Sequence, residues 1–154
     1  MKKQTARRIR ATGHVLFVIY LGALAWVLFF AEMYGRTGQA NEGLRYNLKP
    51  FREILRFWNN REILGVWAVF LNIVGNALIF LPFGIILPVL FRRLRSWWKI
   101  TLLGAVFSLC VETAQLICSV GVFDVDDIFL NTLGAFLGYL IFAFCDHFRR
   151  KIYG

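Results

Sequence analysis

The chain has 154 residues, 58% of them hydrophobic, with a mean hydropathy of +0.60 and a formal net charge of +9. That hydropathy excludes a soluble domain unless the apolar residues are gathered into membrane spans, and they are. The charge does not point to nucleic acid, because a binding domain would collect its bases on one face beside a recognition motif, and no such motif is present.

A membrane-spanning helix needs about 20 predominantly apolar residues, and four stretches qualify: 14–33, 64–90, 100–120 and 128–145. The expected fold is therefore all-α, a polytopic membrane protein of one domain over residues 1–154. The first stretch follows the bases Lys2, Lys3, Arg7, Arg8 and Arg10, as a signal peptide would. Its apolar core is long, however, and its exit Phe29-Phe30-Ala31-Glu32 lacks a small-x-small cleavage pattern, so a retained helix is expected.

The connection that follows divides into a Gly-rich polar part, 35–47, and a segment in which Phe51, Ile54, Leu55 and Trp58 recur at i, i+3, i+4 and i+7. Arg52, Glu53, Arg56 and Asn59 fall opposite, and Pro50 suits a first helical position. This predicts a short amphipathic helix over 50–60, either lying in the outer membrane interface or packed as a lid on the bundle. The second span carries Pro82 and Pro88, and Leu81-Pro82-Phe83-Gly84 predicts a kink. Trp97 and Trp98 suit anchoring positions at the start of the third. Cys110, Cys118 and Cys145 all fall within predicted spans and are expected to be packing residues. Cys110 and Cys118, about 12 Å apart on one helix, are beyond disulfide reach.

Twelve bases flank the spans on the side of the two termini and of the 92–99 connection, against six on the other side. By the positive-inside rule both termini are expected in the cytoplasm. The two histidines, His14 and His147, then sit at cytoplasmic span ends.

The spans carry polar residues that lipid cannot satisfy. Glu112 and Gln115 lie inside the third, where a carboxylate costs about 2.5 kcal/mol or more unless protonated or paired. Gly104, Ser108, Glu112, Gln115 and Ser119 form one stripe at spacings of four, four, three and four. Asn72 and Asn76 form a second, one turn apart, and Asp124, Asp127, Asn131, Gly134 and Gly138 a third. The three faces are expected to meet in the outer half of the bilayer, as a pocket of Asn72, Asn76, Glu112, Gln115, Asp127 and Asn131. Gly134 and Gly138 are read as a close-packing step, and Asp124, Asp126 and Asp127 as a near-aqueous turn in which Asp127 is the favoured site residue. Arg45, Lys49 and Arg52 on the outer side would steer an anionic ligand.

No H-E-x-x-H, C-x-x-C, P-loop or G-x-S-x-G occurs. No cofactor and no metal are demanded, although Glu112 and Asp127 have the chemistry of an acid and base pair or of oxygen ligands to a divalent cation.

In order along the chain, Asn47-Leu48-Lys49-Pro50-Phe51, Asn72-Ile73-Val74-Gly75-Asn76, Phe80-Leu81-Pro82-Phe83-Gly84, Ser108 to Gln115, Phe123 to Ile128, Asn131 to Gly134 and Gly138-Tyr139 resemble the VanZ-like family of small bacterial membrane proteins. The resemblance covers about two thirds of the chain. It implies a protein of the bacterial cytoplasmic membrane associated with lower susceptibility to teicoplanin-type, lipid-tailed glycopeptides, and it implies no particular mechanism.

Three readings follow. In the preferred one the outer pocket binds a membrane lipid or lipid-linked cell-wall component, with the lipoglycopeptide affected indirectly and no catalysis. In the second, an intramembrane enzyme modifies a lipid or lipid-linked precursor with Glu112 or Asp127 as general base. The third is a small transporter, for which four spans would serve only as part of a homo-oligomer.

Overall fold

The computed structural model describes residues 3–35 and 46–153. In chain order the elements are α1 (Lys3–Gly35), β1 (Tyr46–Asn47), α2 (Arg52–Asn59), α3 (Arg61–Leu64), α4 (Val66–Leu90), a 3-10 turn (Arg92–Leu94), α5 (Trp97–Ile117), β2 (Phe123–Asp124) and α6 (Val125–Tyr153). Four of these helices are long and apolar enough to cross a membrane, over Ala11–Leu28, Val69–Leu90, Trp97–Ile117 and Val125–Ile152. Short helices lie between the first two, as expected.

The spine of the bundle is the contact between α4 and α6, and it requires glycine. A Cβ on Gly134 would fall 2.0 Å from the Ala77 carbonyl oxygen, and one on Gly138 would fall 2.1 Å from that of Leu81. The backbones touch with no side chain between them, as small residues permit where lipid supplies no hydrophobic drive for helix association. Next to this contact Phe83, Leu87, Ile100 and Ala135 form a buried cluster, with Phe17, Tyr20, Phe107 and Tyr139 packed around it. The Phe83 and Phe107 rings stack 5.4 Å apart.

α4 runs unbroken through Pro82 and Pro88. Pro82 removes one N–H from the helical ladder, and in the adjoining turn the Tyr20 hydroxyl donates to the Ile79 carbonyl at 2.8 Å. This bond fastens α1 to α4 one residue past the Leu78 carbonyl that the proline deprives of its helical donor. α1 is otherwise peripheral: Val15, Leu16, Val18 and Ile19 are exposed, and Leu24 is buried.

Three local expectations are corrected. α5 ends at Ile117, so Ser119 leaves the polar stripe; it is exposed, in a turn, with φ of 55°. α2 begins at Arg52 rather than Pro50, because Phe51 adopts a left-handed conformation with φ of 63° and the chain turns sharply there. All three cysteines are exposed on the protein surface rather than packed inside it. A small, weakly polar thiol is compatible with an apolar exterior.

Candidate functional site

The buried positions of α5 are Ile100, Gly104, Ser108, Glu112 and Gln115, so its most enclosed face is also its most polar one. Glu112 is 3% exposed. Its Oε2 accepts a hydrogen bond from the backbone N–H of Asp124 at 3.0 Å, which brings the end of α5 against the start of α6.

Asp124 caps α6. It is the residue before the first helical position, and its Oδ1 accepts the N–H of Asp126 at 2.8 Å. Asp126 and Asp127 occupy the first turn, where the positive end of the helix dipole favours acids. The same Asp124 carboxylate receives the Asn47 side-chain amide at 3.2 and 3.3 Å. Asn47 and Asp124 are also register partners in the parallel pairing of β1 with β2. Backbone and side chains together tie the segment before α2 to the segment before α6.

Asp126, only 2% exposed, serves a different helix. Its carboxylate accepts the backbone N–H groups of Phe51, Glu53 and Ile54, the last two at 2.9 and 3.3 Å. α2 has no cap from its own preceding residues; the cap comes from 75 residues further along the chain. This explains the left-handed Phe51, since the backbone must turn there to aim three N–H donors at one carboxylate. A bulky non-glycine residue in that region stores strain of about 1–3 kcal/mol, which the charge-assisted bonds to Asp126 offset.

Deeper along the same face, Asn76 of α4 donates through Nδ2 to Asp127 Oδ1. One helical turn further, Asn131 donates to Ser108 Oγ at 2.9 Å. Gln115 turns the other way and donates to the Leu28 carbonyl of α1 at 2.8 Å. Polar layers therefore descend from the end of the bundle into the membrane-spanning region: Asn47, Asp124 and Glu112, then Asn76 and Asp127, then Ser108 and Asn131.

Of the residues anticipated as a pocket, Asn76, Asp127, Glu112 and Asn131 join these layers and Gln115 faces α1. Asn72 is half-buried on α4 and makes no hydrogen bond through its side chain among the described residues. Lys49 and Arg52 are exposed at the end of the bundle, while Arg45 lies outside the described residues. Four residues of the network lie outside the anticipated pocket: Ser108 and Asp124, which were on the faces expected to meet, and Asn47 and Asp126, which were on none of them. Asp124 was legible only as one of three acids ahead of an apolar run expected to begin at Ile128; the helix starts three residues earlier, at Val125, which makes Asp124 its cap. Asp126 carried no signal as a cap for α2, because its partners lie on another element.

The arrangement is chemically specific. Each carboxylate accepts hydrogen bonds from backbone or amide donors, so the acids are fixed in position. The Asn131 carbonyl oxygen is buried without a hydrogen-bond partner among the described residues, and the half-buried Asn72 amide is a further polar group on α4. Among the described residues no three His, Cys, Asp or Glu side chains converge as metal ligands.

Residues 17–146 match the family model described as VanZ/LLP1. The chain is also 31% identical over 138 residues to Protein VanZ of Enterococcus faecium, covering 88% of this chain and 77% of that one. No solved structure matches. The matched region runs from within α1 through most of α6 and includes every layer of the polar network. This multi-pass membrane protein belongs to the VanZ/LLP1 family.

Proposed function

We propose that the acidic end of the bundle faces the cell exterior and binds a membrane lipid or lipid-linked cell-wall component there, and that this lowers susceptibility to teicoplanin-type lipoglycopeptides. The observation that carries the reading is the partnering of the carboxylates. Glu112, Asp124, Asp126 and Asp127 each accept a hydrogen bond that holds the protein together, which favours a preorganised recognition surface over an acid and base pair poised for proton transfer. Asn72 and the Asn131 carbonyl supply hydrogen-bonding capacity within the membrane-spanning region. Exposed Leu55, Trp58 and Trp67 suit the interface where an amphiphile would lie. The excess of bases near the termini and the 92–99 connection supports cytoplasmic termini.

The test is Glu112→Gln, which keeps shape and removes charge, read by teicoplanin susceptibility and by mass spectrometry of the membrane lipids. Loss of protection with an unchanged lipid profile is the expected result. A modified lipid that disappears with Glu112 would replace binding by catalysis.

A further inference from the structure

The opposite end of the bundle holds a second feature that the network above does not use. The 3-10 turn joining α4 to α5 brings three arginines together, and they have different fates. Arg95 turns inward: its Nε donates to the Pro88 carbonyl at 3.1 Å, its guanidinium lies over the Phe142 ring, and Asp146 stands 3.9 Å away. Arg149 and Arg150 also converge on Asp146, at 2.6 and 2.8 Å. That single carboxylate is shared by three cations. Arg92 and Arg93 are exposed, and neither makes an ion pair among the described residues.

These two arginines border a cavity of about 620 Å³ lined by Leu90, Phe91, Arg92, Arg93 and Leu94. Its volume lies within the range of about 300–1,000 Å³ typical of ligand sites. Its lining is mostly apolar, and Arg92 and Arg93, the two cations in it, are adjacent in the chain. The cavity lies beside α1, where the His14 ring meets Phe91 edge-on at 5.8 Å. Beyond it, exposed Trp97 and Trp98 open α5, and the Lys99 ammonium lies over Trp98 and donates to the Arg93 carbonyl. Tryptophans and bases of this kind mark the headgroup level of a membrane.

We infer that this elbow is a binding site for an anionic diacyl phospholipid, with the phosphate between Arg92 and Arg93 and acyl carbon in the cavity at Leu90, Phe91 and Leu94. A zwitterionic lipid offers the same tails without the net charge, and a free phosphate offers the charge without the tails. An apolar lining that includes two exposed arginines favours a molecule with both. Basic pockets beside membrane helices bind anionic headgroups by the same electrostatics. The inference is independent of the reading proposed for the acidic end, which lies at the other end of the bundle.

The test uses the full chain, purified in detergent, stripped of lipid and titrated with phosphatidylglycerol or phosphatidylcholine under native mass spectrometry. Phosphatidylglycerol is expected to remain bound under activation that removes phosphatidylcholine. R92Q/R93Q should weaken its retention roughly tenfold, while R149Q/R150Q, with the same change in charge at the same end, should weaken it less than about twofold. Millimolar glycerol phosphate should not displace the lipid. Equal loss in both double variants would reduce the effect to diffuse charge and overturn the site. Equal retention of phosphatidylcholine, or displacement by glycerol phosphate, would overturn it as well. Should R92Q/R93Q not fold, lipid selectivity and glycerol phosphate competition in the unaltered protein decide the matter.

Discussion

The two ends of this bundle handle charge in opposite ways. At the acidic end, buried and half-buried carboxylates accept hydrogen bonds from backbone N–H groups on α2, β2 and α6 and from the amides of Asn47 and Asn76. Backbone donors belong to the fold and do not move independently of it. At the basic end, Asp146 collects Arg95, Arg149 and Arg150, whose long side chains are more exposed. The acidic end is thus a rigid joint among elements, while the basic end is an adjustable cluster. Buried, backbone-directed carboxylates specify geometry; exposed ion pairs contribute little to it.

The spine that holds both ends in place offers the most severe way to break the comparison. Gly134→Val should separate α4 from α6 and cost more than about 4 kcal/mol, seen as loss of folded protein in detergent and of both ends together. If the variant unfolds at the unaltered temperature, the ends are held by something other than this contact.

Asp126→Ala comes next. Removing a buried acceptor of three N–H groups should cost about 3 kcal/mol and release α2 selectively, so proteolysis between residues 48 and 65 should accelerate while α4 to α6 stay protected. Uniform protection would show that β1, β2 and the apolar contacts of α2 suffice. Asp126→Asn should be intermediate, because the amide keeps one acceptor oxygen and loses the charge.

Smaller in stability but sharper in meaning is Asn131→Leu with Ser108→Ala. Replacing both members of a buried polar pair by apolar groups is near neutral, within about 1 kcal/mol. A stable double variant that loses the proposed protection against teicoplanin would separate a ligand-facing role for the Asn131 carbonyl from a packing role; retention of the unaltered protein's susceptibility would leave the pair structural.

The smallest change is expected from Asp146→Asn at the basic end, less than about 1 kcal/mol and further reduced by salt, measured by thermal unfolding at low and high ionic strength. A loss comparable to that from Asp126→Ala would erase the contrast between the ends.

How much of this was legible in the residues differs by feature. The four long helices follow from hydropathy alone, and the stripe from Gly104 to Gln115 follows from helical spacing, because both depend on one element at a time. The close approach at Gly134 and Gly138 was legible for the same reason. Partner choice was not. Spacing places Asp124, Asp126 and Asp127 near one helix start without saying that Asp126 reaches across to α2 or that Asp127 meets Asn76. The pairing of β1 with β2 was equally hidden, since two residues carry no period. The exposed cysteines show the limit of a preference learned from water-soluble proteins, where burial is the refuge from solvent.

The distant cap on α2 bears on how the protein is made. Asp126 is polymerised 75 residues after Phe51, roughly 4 to 15 s later at ordinary rates of synthesis. Until then the nascent surface segment cannot acquire its final anchor, so assembly of this end must wait for the last helix to leave the ribosome and insert.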